Sequence, residues 1–285
     1  MSYNQNPPKE EPSTPGQGPQ LIATRDLIHD AWEELEPSIE SALIPRLMMA
    51  FRNDSQLEED AAAPAAVPDQ ASARQLAELV LSENQEVACQ YIQSLRAGGA
   101  SLKSIYLKLV TDAAQGLGQQ WVDDEISFFD VTVGVSRLQQ VMLEFSACFC
   151  AEDGRREVCE QSALIAPLPG EQHSFGAFMV VEFFRRAGWN VRGGAPASLN
   201  QLCDAVAEQH FDLVGLSLSA DRHLDQLASV VQALRKASTN PELKIMIGGR
   251  CALDQTSLWE DVAADGVSVD AADAVTQADQ LISRV

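Results

Sequence analysis

Residues 162–178 read SALIAPLPGEQHSFGAF: an apolar run from Ser162 to Leu168, then a polar turn, then a second apolar pattern from Phe175 onward. A short, uninterrupted apolar run bounded by turn residues fits a strand buried on both faces, as in a parallel sheet. His173, one of only four histidines, lies in the turn that follows, three residues before Gly176. In open α/β sheets ligands gather beyond the carboxyl ends of the strands, so an imidazole at this position invites a chemical reading.

Working outward from that stretch, β-rich runs recur at 189–193 (WNVRG), 211–218 (FDLVGLSL), 243–248 (LKIMIG) and 266–269. Between them Phe178, Val180, Val181 and Phe184, and then Leu224, Leu227, Val231 and Leu234, fall at helical spacing. Five strand-helix units of this kind predict an α/β domain over 160–285, a doubly wound, five-stranded parallel sheet of Rossmann-like form. Such a sheet brings His173, the Ser217-Leu218-Ser219 run and Gly248-Gly249 to one rim, although they are far apart in the chain.

The residues before it change period. Leu102, Ile105, Leu109, Ala113 and Leu117, and then Val131, Val135, Leu138, Met142 and Phe145, repeat at helical spacing and predict a four-helix bundle over 74–155. Gly98-Gly99 and Gly116-Leu117-Gly118 are the expected breaks. In QQWVDDEISFFDVTVG, Trp121 is expected in the loop before the last helix, beside Phe128 and Phe129. These aromatics either seal the bundle's end or cap a flat ligand held between the two domains. Residues 1–20 lack the apolar content to fold, and the Ala/Pro-rich 58–73 reads as a linker. The helical segment 21–57 between them carries an Ile28, Trp32, Leu35 stripe that docks on its own domain or on a partner.

Bulk properties narrow the function. The 285-residue chain is 46% hydrophobic and carries a formal net charge of −21. That charge repels phosphate backbones and anionic headgroups, which argues against direct nucleic acid or membrane binding and favours a basic or neutral protein partner. No apolar stretch reaches the roughly 18 residues that span a bilayer, and the first twenty residues do not resemble a signal peptide, so a cytoplasmic location is expected. Six scattered cysteines contain no C-x-x-C pair and read as reduced thiols, with Cys148, Cys150 and Cys159 a candidate redox cluster.

Three chemistries compete for the rim. A dinucleotide fold requires G-x-G-x-x-G, which PGEQHSFGAF does not supply. A phosphoacceptor receiver requires acids at the strand ends, and Asp212 begins its strand. A metal site requires a neutral imidazole whose second nitrogen is fixed by a carboxylate, and Glu171 stands two residues before His173. Alone, a surface turn histidine is the plainer reading of His173.

Taken together, Glu171-x-His173-x-x-Gly176, Ser217-Leu218-Ser219 and Gly248-Gly249 resemble the D-x-H-x-x-G, S-x-L and G-G motifs of cobalamin-binding domains, and DGVSVDAADAV (265–275) is similar to their closing strand and helix. The resemblance implies that His173 is the lower metal ligand to cobalt, with Glu171 orienting it. It places Ser174, Phe175, Gly176, Ser217, Leu218, Ser219, Gly248, Gly249 and Arg250 around the cofactor and its displaced nucleotide tail. Glycine and serine suit that use, since small side chains leave room for the tail and hydroxyls bond its polar atoms. Upstream, Trp121, Asp130, Val131, Thr132, Gly134, Arg137, Leu138 and Gln139 resemble the bundle motif of AerR/PpaA regulators, which places Trp121, Phe128 and Phe129 above the corrin.

Two departures qualify the transfer. Glu171 is one methylene longer than the family's aspartate, so its hydrogen bond to His173 is not carried over. Val131 and Thr132 occupy the positions of the Glu-His pair found in adenosylcobalamin light sensors, so hydroxo- or aquocobalamin is the expected form. The resemblance implies a light- or redox-responsive antirepressor, not an enzyme, acting on a photosynthesis-gene repressor of the CrtJ/PpsR type. The alternatives are a corrinoid protein of a methyltransferase system and a haem-binding sensor on the same scaffold. His29 and His210 read as helix residues, and His223 as a polar residue at a helix start.

Overall fold

The computed structural model describes residues 67–82, 85–152, 159–194, 198–219, 223–250 and 262–283. The segments 1–20 and 21–57, with the Trp32 stripe, and the first part of 58–73 lie outside these residues.

Four helical stretches form the first layer. They are α1 (Gln70–Ser82), α2 (Gln85–Ala97), a continuous rod made of α3 (Leu102–Ser104), a π-helical stretch (Ile105–Val110) and α4 (Thr111–Val122), and then α5 (Phe128–Ala151). Helix α1 begins at Gln70, inside the stretch read as linker. Asp69 accounts for the start, because its carboxylate accepts hydrogen bonds from the Ser72 backbone N–H and hydroxyl and so satisfies a donor of the first turn. The expected break at Gly116-Leu117-Gly118 is absent. Both glycines lie within α4, with nothing near the positions their side chains would take, and a helix tolerates each at a cost of roughly 1 kcal/mol. The irregularity falls earlier, in the π-helical stretch, where the Thr111 hydroxyl donates to the Tyr106 carbonyl five residues back. Trp121 is consequently the penultimate residue of α4 rather than a loop residue.

Two devices hold the bundle together. Ser127 and Asp130 form a reciprocal capping box at the start of α5. Gly134 sits where α5 crosses α4: an added Cβ would lie 2.9 Å from Leu117 Cδ1, so a larger residue there would force the leucine to move.

The second layer alternates β1 (Ser162–Pro167), α6 (Phe175–Arg186), β2 (Asn190–Gly193), α7 (Leu199–Glu208), β3 (Leu213–Ser217), α8 (Leu224–Ala237), β4 (Lys244–Gly248), β5 (Gly266–Ser268) and α9 (Ala271–Ser283). Every pairing is parallel, in the order β2-β1-β3-β4-β5. This is the doubly wound five-stranded sheet expected from the sequence. Every residue of β1 and of β3 is buried, which is why their sequences read as unbroken apolar runs rather than as alternation. Register brings Pro167, Ser217, Gly248 and Ser268 side by side at the carboxyl ends.

Helix α6 is shared between the two layers. Its Met179 and Phe183 lie in the bundle core, whereas Ala177, Val181 and Phe184 lie in the core beneath the sheet. Polar contacts reinforce the junction: the Ser146 hydroxyl donates to the fully buried Glu182, which Arg185 of the same helix neutralises at 2.6 Å, and Arg186 pairs across the junction with Glu152 at 2.9 Å. The partners 146/182, 149/183 and 152/186 climb together, so α5 and α6 run parallel.

Candidate functional site

The turn after β1 is built by Leu168-Pro169-Gly170-Glu171. The Glu171 N–H donates to the Leu168 carbonyl at 2.8 Å, and Gly170 has φ of 85°. A closing bond of this kind with proline second and a left-handed glycine third defines a type II turn. The turn delivers Glu171 into the protein, where it has no exposure, and leaves the His173 side chain 64% exposed at the rim.

Glu171 organises everything around it. One carboxylate oxygen accepts from the His173 backbone N–H at 3.0 Å and meets the ring Nδ1 at 2.6 Å. The other accepts from the Ser219 N–H at 3.0 Å. Burial alone would raise the carboxyl's pKa, but these hydrogen bonds and the facing imidazole outweigh it and lower the pKa to about 2. An ionised carboxylate only accepts, so His173 Nδ1 is the donor and Nε2 carries the lone pair, facing outward. The longer glutamate thus keeps the bond to His173 that the aspartate-to-glutamate change had put in question.

The other sequence-predicted residues divide by location. Ser217 ends β3 and is 8% exposed, with its hydroxyl 3.6 Å from where a Cβ on Gly176 would stand. Ser174 precedes the first residue of α6, and Phe175 packs against the bundle core. Gly248 faces the Ser268 hydroxyl, 2.8 Å from its would-be Cβ. Gly249 has φ of 103° and lies against the Leu218 backbone, leaving no space for a side chain. The Leu218 side chain is fully buried in the sheet core on the α8 side, and Arg250 is exposed.

Trp121, Phe128 and Phe129 do not seal the bundle. They are 45%, 67% and 73% exposed, and the Trp121 and Phe128 rings meet edge to face at 5.9 Å. Gln139 of α5 shares a cleft with Ser174, at the start of α6. The residues of α5 before Gln139 therefore project past the rim by roughly 16 Å at 1.5 Å per residue, with the aromatics at the tip. Sequence reasoning missed Ser268, whose hydroxyl borders Gly248, and Gln226, which holds the turn that carries His173. Neither had a motif to mark it.

The geometry suits a planar metal macrocycle with a bulky tail. The oriented imidazole offers an outward lone pair for a soft-to-borderline metal. Gly176 leaves open the volume that a Cβ would fill, next to the Ser217 hydroxyl, whereas at Gly248 the Ser268 hydroxyl already occupies that space. Among the described residues no group of three or more His, Cys, Asp or Glu side chains could hold a metal ion. No described helix is long and apolar enough to cross a membrane.

Comparison with known proteins agrees. Residues 161–279 match the family model of the B12 binding domain. An uncharacterized 20.5 kDa protein in the bchF-crtJ intergenic region of Rhodobacter capsulatus is 27% identical over 175 residues, which is 61% of this chain and 90% of that one. Dimethylamine corrinoid protein 3 of Methanosarcina mazei is 26% identical over 156 residues, 54% of this chain and 86% of that one. The solved structure of the Methanosarcina barkeri monomethylamine corrinoid protein shares the fold, with a TM-score of 0.58 at 16% identity, covering 76% of this chain and all of that one. Residues 161–279 of this chain are thus similar to the B12 binding domain, and a helical bundle precedes them.

Proposed function

We propose that the chain is a cobalamin-dependent regulator, an antirepressor that acts through contact with a CrtJ/PpsR-type repressor rather than through catalysis. The observation that carries the cofactor half of this reading is the imidazole of His173, fixed through Nδ1 by a buried, ionised Glu171 with Nε2 turned outward. When bound, the cofactor supplies a cobalt centre whose upper ligand responds to light and redox state.

The chain's own residues do the rest. His173 Nε2 would hold the cobalt, and Glu171 fixes its tautomer and direction. Gly176 and Ser217 leave space for the displaced tail, and the absence of a side chain at Gly248 lets the Ser268 hydroxyl come close beside them. Trp121, Phe128 and Phe129 would cover the upper side and slow the exchange of small ligands there. Val131 and Thr132 offer no carboxylate or imidazole there, and the Thr132 hydroxyl already donates to the Phe128 carbonyl at 2.7 Å. A water-derived upper ligand, as in aquo- or hydroxocobalamin, therefore suits this chain. Helix α6 starts two residues after His173 and lies in both cores, so a change at the rim biases how the bundle packs.

The regulatory half is supported by the R. capsulatus relative, whose name places it between bchF and crtJ, and by the net charge of −21, which complements a basic DNA-binding protein. The segment 21–57 is the proposed contact. The sequence similarity to a dimethylamine corrinoid protein favours a second reading, a carrier of methyl groups between methyltransferases. The test is to add hydroxocobalamin to the protein and to His173→Ala, in light and dark, with repressor binding measured alongside. The reading expects a cobalt spectrum that the variant loses and repressor binding that depends on the bound form. Methyl transfer from the methylcobalamin-loaded protein to a thiol would instead select the carrier, and a stronger response to haem would select a haem sensor.

A further inference from the structure

The type II turn before Glu171 is held from outside. The Gln226 side-chain amide, in the first turn of α8, donates to the Pro169 carbonyl at 2.8 Å, and the same nitrogen lies 3.1 Å from Nδ1 of His223. An amide nitrogen has two N–H groups and no lone pair to give, so one serves Pro169 and the other serves the imidazole, which accepts. His223 also lies 3.3 Å from where a Cβ on Gly170 would stand, so it packs on the face of the turn.

The Pro169 carbonyl is the informative partner. Types I and II of a β-turn differ in the orientation of one peptide, here Pro169–Gly170, which rotates by roughly half a turn between them. Proline second in the turn is compatible with both, and glycine third permits the left-handed φ without enforcing it. The local sequence therefore leaves two states open. A donor fixed on α8 and aimed at that carbonyl selects one of them.

We propose that Gln226 is a positioning residue: it locks the Pro169–Gly170 peptide in its type II orientation and thereby holds Glu171 and His173 in the geometry that ligation requires. This rests on the reading of His173 as the lower ligand. Rotation of that peptide redirects the chain at Glu171, whose carboxylate must reach both the His173 ring and the Ser219 N–H. The loop that carries the ligand is thus tied at two separate points, to α8 by Gln226 on Pro169 and to the end of β3 by Glu171 on Ser219.

The test uses the full chain with Gln226→Glu, which keeps size but removes both donors, and Gln226→Ala. In the protein without cofactor, hydrogen exchange at the Glu171 and Ser219 amides is expected to quicken by about five- to tenfold, the worth of one hydrogen bond. After cob(II)alamin is loaded into protein carrying nitrogen-15 histidine, the two-line splitting of the paramagnetic resonance signal that marks imidazole ligation, as against the three lines given by the cofactor's own base, is expected to weaken in both variants, and aquocobalamin affinity to fall by a similar factor. Wild-type exchange and undiminished nitrogen splitting in Gln226→Glu would overturn the proposal. Should the amides respond while even the labelled wild type shows three lines instead of two, the turn lock stands as a structural device and the assignment of His173 as cobalt ligand fails.

Discussion

Phe183 and Phe184 are neighbours on α6 but belong to different cores: Phe183 meets Phe149 of the bundle at 5.0 Å, and Phe184 meets Trp189 beneath the sheet at 5.2 Å. One helix thus supplies wall to both halves. Arg186 adds a third contact, its guanidinium 4.4 Å above the Phe149 ring. The expected consequence is that bundle and sheet unfold together. Phe183→Ala and Phe184→Ala should each cost about 3–5 kcal/mol and leave a single urea transition, with circular dichroism and tryptophan fluorescence coinciding. Two separated transitions in Phe183→Ala, one with the wild-type midpoint, would show that the halves are independent.

Glu171 predicts a pH dependence of folding. Its pKa falls from 4.5 to about 2 on folding, so its stabilisation is complete above pH 4.5 and declines as pH drops toward 2. The shift corresponds to something on the order of 3 kcal/mol. Glu171→Gln lacks this titration. The stability gap between wild type and variant, measured by urea at pH 7, 5 and 3.5, should therefore narrow as the solution is acidified. A gap constant across that range contradicts the assigned hydrogen bonds.

The sheet was legible because its chemistry is local: an unbroken apolar run can only be a strand buried on both faces or a piece of buried helix, and Gly and Pro at its ends decide between them. His173 and Glu171 were legible because they sit two residues apart in the turn that topology marks as a ligand rim. The bundle's details were not. Gly116 and Gly118 look like breakers, yet packing along α4 overrides their propensity. Gln226 is an unremarkable helix residue until folding brings it against Pro169, 57 positions away in the chain. Nor does the α6 sequence say that Phe183 faces other helices while Phe184 faces a sheet; both are simply apolar.

Glycines near the rim should separate folding from binding. Gly176→Ala places a methyl 3.6 Å from the Ser217 hydroxyl, an ordinary contact. It should leave the stability of the cofactor-free protein unchanged or raise it by up to about 1 kcal/mol, since alanine is the better helix former. The same methyl intrudes on the space proposed for the nucleotide tail, so hydroxocobalamin affinity should fall at least about tenfold. Gly249→Ala should behave differently, because φ of 103° and the adjacent Leu218 backbone admit no side chain. Loss of stability by about 2 kcal/mol or more is expected before any ligand is added. Equal effects of the two substitutions on folding would remove the distinction.

The exposed aromatics give the remaining test of the upper side. Phe129 is 73% exposed at the start of α5, so its burial contributes little to the fold, and Phe129→Ala should shift unfolding stability by less than about 0.5 kcal/mol. Trp121 is less exposed and touches Phe128, so Trp121→Ala should cost more, about 1 kcal/mol. If these rings cover the cobalt's upper side, both variants should admit small anions faster, with cyanide replacing the upper ligand of bound aquocobalamin severalfold more quickly by stopped flow. The His173 side remains untouched by these changes, so affinity should hold within about threefold while the exchange rate rises. Unchanged cyanide kinetics in both variants would place the rings away from the cofactor and return them to the role of an exposed surface for another protein.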